Sequence, residues 1–224
     1  GDSGELVTYR QLEQRSNQGA QLFRSLGLRA GDHIGMMLEN TRQFLEIAWA
    51  AQRSGIVLTP LSTHLKHAEA AYILENCEAK LFVGSLALAD MAEKIIAAAP
   101  GQIAHFYMVG GIKPGFDSWE EAIDLQPTTR IADESYGSPM LYSSGTTGQP
   151  KGVLLPQPED VNTPHPIAAS VGMAFGFGEE TVYLSPAPLY HAAPLHYSMM
   201  AMYQGGTVVV MERFDPERAL QLIE

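Results

Sequence analysis

One cysteine, Cys77, stands in the 224 residues, so the chain can close no disulfide within itself and has no thiolate pair to offer zinc. Beside Asn76, at the end of a predicted helix, it reads as a small packed residue and not as a nucleophile. Positive charge is also scarce. Lys and Arg total 14 against 25 Asp and Glu, a net charge of -11, which disfavours a sequence-independent grip on nucleic acid or anionic lipid. An anionic ligand must therefore be held by a local site. His33, His64, His67, His105 and His165 are scattered without metal-ligand spacing and read as surface or core residues. Between Glu180 and Glu212 no charged residue occurs, yet Pro186, Pro188, Pro194, Gly205 and Gly206 break that stretch too often for a spanning helix. No transmembrane segment is expected, and a buried wall of a binding site fits better. No basic-then-apolar leader and no solenoid repeat is visible, the first residues read as the trimmed start of a longer chain, and a cytoplasmic location is expected.

Hydrophobic residues make up 46% of the chain, enough for one large or two modest cores. Thr8 is a reasonable N-cap for a helix carrying Leu12, Ala20, Leu22, Phe23 and Leu26, which Gly27 ends. A strand over 31–38 follows, then a helix capped by Asn40-Thr41 and stopped by Gly55, and a strand over 56–58 closed by Pro60. Further on come a helix at 67–76, a strand at 80–83, an alanine-rich helix at 86–99 and a strand at 105–109. Such alternation predicts the doubly wound α/β plan, a layered sandwich with mostly parallel sheets flanked by helices. Residues 110–139 are irregular, with only 118–125 helical, and read as a connector. Residues 1–135 would thus form a first lobe and its connector, and 136–224 a second region. Within the latter, 156–166 holds four prolines and two acids and reads as a mobile exposed loop. A helix at 167–175, strands at 182–184 and 207–211, a segment at 195–203 and a helix from Asp215 complete the chain.

Residues 140–155, MLYSSGTTGQPKGVLL, carry the chemistry: a short apolar run, a polar glycine loop and a second apolar run. Gly145 and Gly148 permit positive φ and leave backbone N–H groups open to a ligand. Ser143, Ser144, Thr146 and Thr147 add hydroxyls and Lys151 an ammonium, as an oxygen-rich anion such as polyphosphate requires. The Walker A loop is excluded. Counting from Gly145, its second glycine falls on Pro150, and Lys151 is followed by Gly152 and β-type residues instead of a helix.

Tyr142-Ser143-Ser144-Gly145-Thr146-Thr147-Gly148-Gln149-Pro150-Lys151-Gly152 resembles, at every position, the phosphate-binding signature of the adenylate-forming superfamily of acyl-CoA synthetases, luciferases and peptide-synthetase adenylation domains. The opening 6–12 is similar to the family's start, 31–61 to its second core block, and Ser185-Pro186-Ala187-Pro188-Leu189-Tyr190-His191 to the block after the phosphate loop. The resemblance implies a two-step reaction with ATP, Mg2+ and coenzyme A. A carboxylate attacks the α-phosphorus of ATP to give acyl-AMP and pyrophosphate, and a thiol then displaces AMP. It assigns Ser143, Ser144, Gly145, Thr146, Thr147, Gly148 and Lys151 to the β- and γ-phosphates, although Lys151 could instead pin the loop to a carboxylate.

For the acid, the resemblance places Tyr190, His191, Pro194 and His196 at the substrate. His191 would line and gate the pocket without acting as a base, since a carboxylate needs no deprotonation near neutral pH. Met199, Met200 and Met202 follow at helical spacing and fit a core better than a pocket, though they would suit an acyl tunnel. A hydrophobic acid is the modest inference. Two departures stand out: Pro156-Gln157 replaces the usual Thr-His or Ser-His, and Ala192-Ala193-Pro194 stands where many members carry a glycine. The adenine, magnesium and ribose sites of the family, its hinge and its late lysine all lie beyond the positions matched here. The expectation is thus an incomplete N-terminal AMP-binding domain, inactive alone and with no catalytic residue of its own. The resemblance is compatible with a homodimer of the full-length protein. Loading of an aryl or amino acid onto a carrier protein, and a non-catalytic nucleotide-binding module, stay open.

Overall fold

A computed structural model describes residues 3–98, 101–143, 150–158 and 166–224 and, within the last stretch, only the backbone of 166–169 and 171. The predicted loop residues Ser144, Gly145, Thr146, Thr147 and Gly148 lie outside the described residues, as do His165 and most of the proline-rich loop.

Thr8 caps α1 (Tyr9–Ser25) through a reciprocal box: its hydroxyl accepts from the Gln11 amide, and the Gln11 side chain accepts from the Thr8 amide. Leu26 is the last cap, and Gly27, at φ +83°, turns the chain out in the left-handed region. After it come β1 (His33–Met37), α2 (Arg42–Arg53), β2 (Val57–Pro60), α3 (His67–Asn76) and β3 (Ala79–Ser85). A 3-10 turn, Leu86–Leu88, runs into α4 (Ala89–Ala98), followed by β4 (His105–Val109), β5 (Asp117–Ser118), α5 (Trp119–Asp124), β6 (Ser138–Ser143) and β7 (Lys151–Leu154).

These seven strands form one sheet in the order β5-β4-β3-β1-β2-β6-β7, parallel except for β7 against β6. Successive side chains alternate between its faces. Ile34, Met36, Leu81, Val83, Tyr107 and Val109 join the core built with α1, α2 and α5, whereas Met37, Phe82 and Met108 join the one built with α3 and α4. A parallel sheet covered on both faces needs apolar residues at consecutive positions, which explains the unbroken Met36-Met37-Leu38 run. Each fully buried side chain of this size contributes about 1.5–3 kcal/mol. Cys77 is buried, with its thiol directed at the Leu74 carbonyl, and burial pushes its pKa up, in keeping with a packing role.

The stretch 110–139 is more ordered than its composition suggested. β5 pairs with β4 at Tyr107 and Met108, and α5 buries Trp119 and Ile123. Ser135 and Gly137 bond to the carbonyls of Arg53 and Gln52, delivering β6 beside β2 with Val57 opposite Ser138. One sheet therefore carries strands from either side of residue 135.

The remainder comprises α6 (Pro166–Phe175), β8 (Val182–Ser185), α7 (Ala192–Tyr203), β9 (Thr207–Val210) and α8 (Pro216–Ile223). β8 and β9 pair in parallel as a second sheet. Leu189, Tyr190, Leu195 and Met199 enter the same core as α1 and α2. The Tyr9 hydroxyl lies 2.9 Å from the Met202 carbonyl and 2.6 Å from that of Gly206, fixing the turn between α7 and β9.

Candidate functional site

β1, β2 and β6 run parallel, so their carboxyl ends share one edge of the sheet, the edge where such sheets bind ligands. β6 pairs with β2 only through Ser138 and Pro139 and runs on to Ser143, and β7 starts back at Lys151. Their antiparallel register sets Tyr142 opposite Gly152 and Ser143 opposite Lys151. The two pairs project from opposite faces. On one face the Tyr142 hydroxyl donates to Asn76 Oδ1 at 2.6 Å, pinning the base of the loop to the end of α3. Burial pushes this phenol's pKa well up, with Cys77 and Tyr72 adding to the effect. Gly152 fits closely beneath it: a Cβ there would lie 3.0 Å from the Tyr142 ring and would displace the Met140 methyl. On the other face the Ser143 hydroxyl and the Lys151 ammonium stand exposed, side by side. Among the described residues Lys151 makes no ion pair, so a carboxylate partner for it is not found there. Gln157 donates to Ser138 Oγ and to the Leu155 carbonyl, both at 2.9 Å, folding the unusual Pro156-Gln157 pair back onto the start of β6.

The second part of the site is the loop from Pro186 to His191. Asn40, read from the sequence as a cap of α2, does something else. Thr41 occupies the cap position, without a side-chain bond, and the Asn40 amide crosses to the loop. Its Nδ2 donates to the carbonyls of Ala187 at 3.1 Å and Met211 at 2.8 Å, while Oδ1 accepts from the Leu189 amide at 2.8 Å. Leu189 is fully buried and Tyr190 is 8% exposed, so Tyr190 fills the core. His191 emerges to solvent as the N-cap of α7, its ring 4.6 Å from that of Tyr190, and it places no side-chain bond on the helix. Its exposure departs from the buried wall expected of it. The reason is local: the Pro188 carbonyl accepts the His191 amide at 3.1 Å, and the turn directs the next side chain outward. Pro194 and His196 are half-buried on α7.

A feature that sequence reading missed is a circuit of four rings. Phe175, Phe177, Tyr183 and Tyr197 each neighbour two others, with centroids 5.6 to 6.3 Å apart. Met199 and Met200 are buried, as expected of core methionines. The chemistry on offer is an ammonium and a hydroxyl at one hairpin mouth and an imidazole at a helix start, where the peptide dipoles favour negative charge. Two open depressions of about 520 and 460 Å³ lie elsewhere, one against Glu75, Glu78, Lys80 and His105, the other against Arg24, Arg29 and Arg130. Neither is lined by a predicted site residue. Among the described residues no group of three His, Cys, Asp or Glu could hold a metal ion, and no helix is long and apolar enough to cross a membrane.

A family model described as "AMP-binding enzyme" matches residues 2–224. The chain is 27% identical over 222 residues to a long-chain-fatty-acid–CoA ligase, FadD13, of Mycobacterium tuberculosis, covering 97% of this chain and 42% of that protein. It is equally 27% identical over 221 residues to a fatty acid–[acyl-carrier-protein] ligase, ScoC, of Streptomyces coeruleorubidus, covering 98% of this chain and 41% of that one. An inhibitor-bound crystal structure of the N-terminal domain of FACL13 from Mycobacterium tuberculosis superimposes with a TM-score of 0.84 at 25% identity, over 99% of this chain and 54% of that one. The chain thus spans less than half the length of these curated relatives.

Proposed function

The chain belongs to the AMP-binding enzymes, and from that premise we propose that it is the first part of an AMP-forming acid–thiol ligase acting on a hydrophobic carboxylic acid, with coenzyme A as acceptor. The carrying observation is the antiparallel hairpin at the carboxyl end of β6, which sets Ser143 beside Lys151 at the mouth of 144–149. In the first step a carboxylate oxygen bonds to the α-phosphorus of ATP as the bond to the bridging oxygen breaks, and pyrophosphate leaves with its charge. Acid and triphosphate repel one another, so donors fixed around the leaving group contribute most to the rate. Ser143, Ser144, Thr146, Thr147, the amides of Gly145 and Gly148, and Lys151 serve that purpose. In the second step a thiol sulfur attacks the acyl carbon and AMP departs. His191 lines the acid's approach, with Pro194 and His196 behind it, and Tyr190 supports its ring from the core. A magnesium ion accompanying the nucleotide would be held chiefly by phosphate oxygens and waters, with one or two protein oxygens completing its shell.

The names of the relatives support a fatty acid as substrate, and the ring circuit with the half-buried face of α7 supports an apolar one. A carrier-protein acceptor is the second reading, favoured by ScoC at the same identity as FadD13. Assays of the full-length protein with coenzyme A and with a phosphopantetheinylated carrier separate the two. Full-length protein with Thr146→Val and Thr147→Val together is expected to form acyl-AMP about 100-fold more slowly or worse. Undiminished acyl-AMP formation would remove the basis of this reading. The 224 residues alone are expected to show no acid-dependent ATP–pyrophosphate exchange.

A further inference from the structure

Pro186 and Pro188 have no N–H, so the loop they punctuate cannot knit itself to a neighbouring strand. Its remaining backbone groups need partners from elsewhere, because an unpaired buried carbonyl or amide costs about 1–3 kcal/mol. A single side chain meets that need. Asn40 is 8% exposed, and its two donors and its acceptor are all engaged, by the carbonyl of Ala187, the carbonyl of Met211 and the amide of Leu189. Met211 is itself bonded to Ser185 through its amide at 3.0 Å. One neutral amide thus fastens the end of β1, the loop after β8 and the end of β9. No residue other than Asn offers two donors and one acceptor at this reach: Asp has no donor, and Ser has one hydroxyl on a shorter stem.

We propose, on the basis of the ligase reading above, that Asn40 is a positioning residue for the acid half of the reaction, setting where the loop delivers His191. Leu189 and Tyr190 are held in the core just after the Asn40 contacts, the His191 amide returns to Pro188, and the His191 carbonyl accepts the Leu195 amide at 3.2 Å to begin α7. Loosening the Asn40 contacts therefore moves the imidazole and the start of α7 together. The phosphate hairpin is anchored separately, through Tyr142 to Asn76 and Ser138 to Gln157, with no bond to Asn40. The two halves of the reaction should thus respond differently to a change at this residue.

Asn40→Asp in the full-length protein is the test. It keeps the shape but turns an oxygen toward the carbonyls of Ala187 and Met211, and their repulsion drives the loop off the side chain, taking the Leu189 amide away from its acceptor. Acid-dependent ATP–pyrophosphate exchange is expected to lose about 10- to 100-fold in kcat/KM for the acid, as a misplacement of about 1 Å does, while KM for ATP stays within about threefold. On the same protein, hydrogen exchange at the Leu189 amide is expected to quicken at least about tenfold, while that of Val83 in β3 is unchanged. Equal losses toward acid and ATP, or an unaltered Leu189 amide, would overturn the assignment. If the aspartate protein does not fold, Asn40→Ser is read in the same two assays. Should the unmutated protein activate no acid at all, the ligase reading fails, and the Leu189 amide still decides what Asn40 holds.

Discussion

Glu13 on α1 is gripped by Arg53 of α2, with Oε2 2.6 Å from one guanidinium nitrogen, and Arg130 approaches its other oxygen at 3.2 Å. The Arg53 hydrogen bond chiefly lowers the carboxyl's pKa, to about 2. A carboxyl whose pKa is depressed on folding stabilises the fold above its unfolded value and loses that contribution as pH falls through the folded one, here from about 4.5 down to about 2. Because Glu13 remains 42% exposed, solvent screening limits the effect to about 1 kcal/mol. Arg53→Met is expected to flatten the acid limb of urea-derived stability in that window, and a limb of unchanged slope would show that the pair contributes nothing. Residue roles of this kind were hardly legible in the sequence. Asn40 looked like a helix cap because Asn before a helix usually is one, and its true partners lie 147 to 171 positions away. The pairing of Ser143 with Lys151 was legible, because it follows from a local strand-loop-strand pattern.

Elements were far more legible than side-chain partners. The helix at 67–76 and the strand at 105–109 fall where the apolar pattern put them, since their signals are contained in their own residues. α7 starts at Ala192 and not at 195, because Pro194 sits in the first turn, where the missing N–H would have had no partner anyway. β5 escaped notice since a two-residue strand exists only through its pairing with β4. At this scale the β6–β7 hairpin is tied to α3 by the bond from Tyr142 to Asn76, beside the packing of Met140 and Tyr142. Tyr142→Phe removes that bond while keeping the ring over Gly152. A loss of about 1 kcal/mol is expected, read as a lower urea midpoint at constant slope. A parent-like midpoint would mean that ring packing alone holds the hairpin to α3.

For the molecule as a whole, a parallel sheet was predictable from alternation, but strand order and the joining of β6 to β2 were not, because order is decided by packing between distant segments. The same packing leaves several apolar side chains uncovered. α8 has no buried residue, although it carries Leu220 and Ile223, 65% and 71% exposed. Val182, Phe214 and the outer residues of β7 are also exposed. Exposed apolar side chains of this size are expected to pack against further protein, and the relatives matched are longer than this chain. With a net charge of -11, copies of the 224-residue chain repel one another at low salt, and screening weakens that repulsion as ionic strength rises. The isolated chain is therefore expected to bind anilinonaphthalene sulfonate and to self-associate in sedimentation experiments as salt is added. Leu220→Lys with Ile223→Lys should reduce both, with a change in folding stability within about 0.5 kcal/mol, because neither side chain is buried within this chain. In the full-length protein the same pair of lysines would face whatever covers α8 and lower stability by several times that amount. Equal tolerance of the two lysines in both proteins would show that α8 is a free surface.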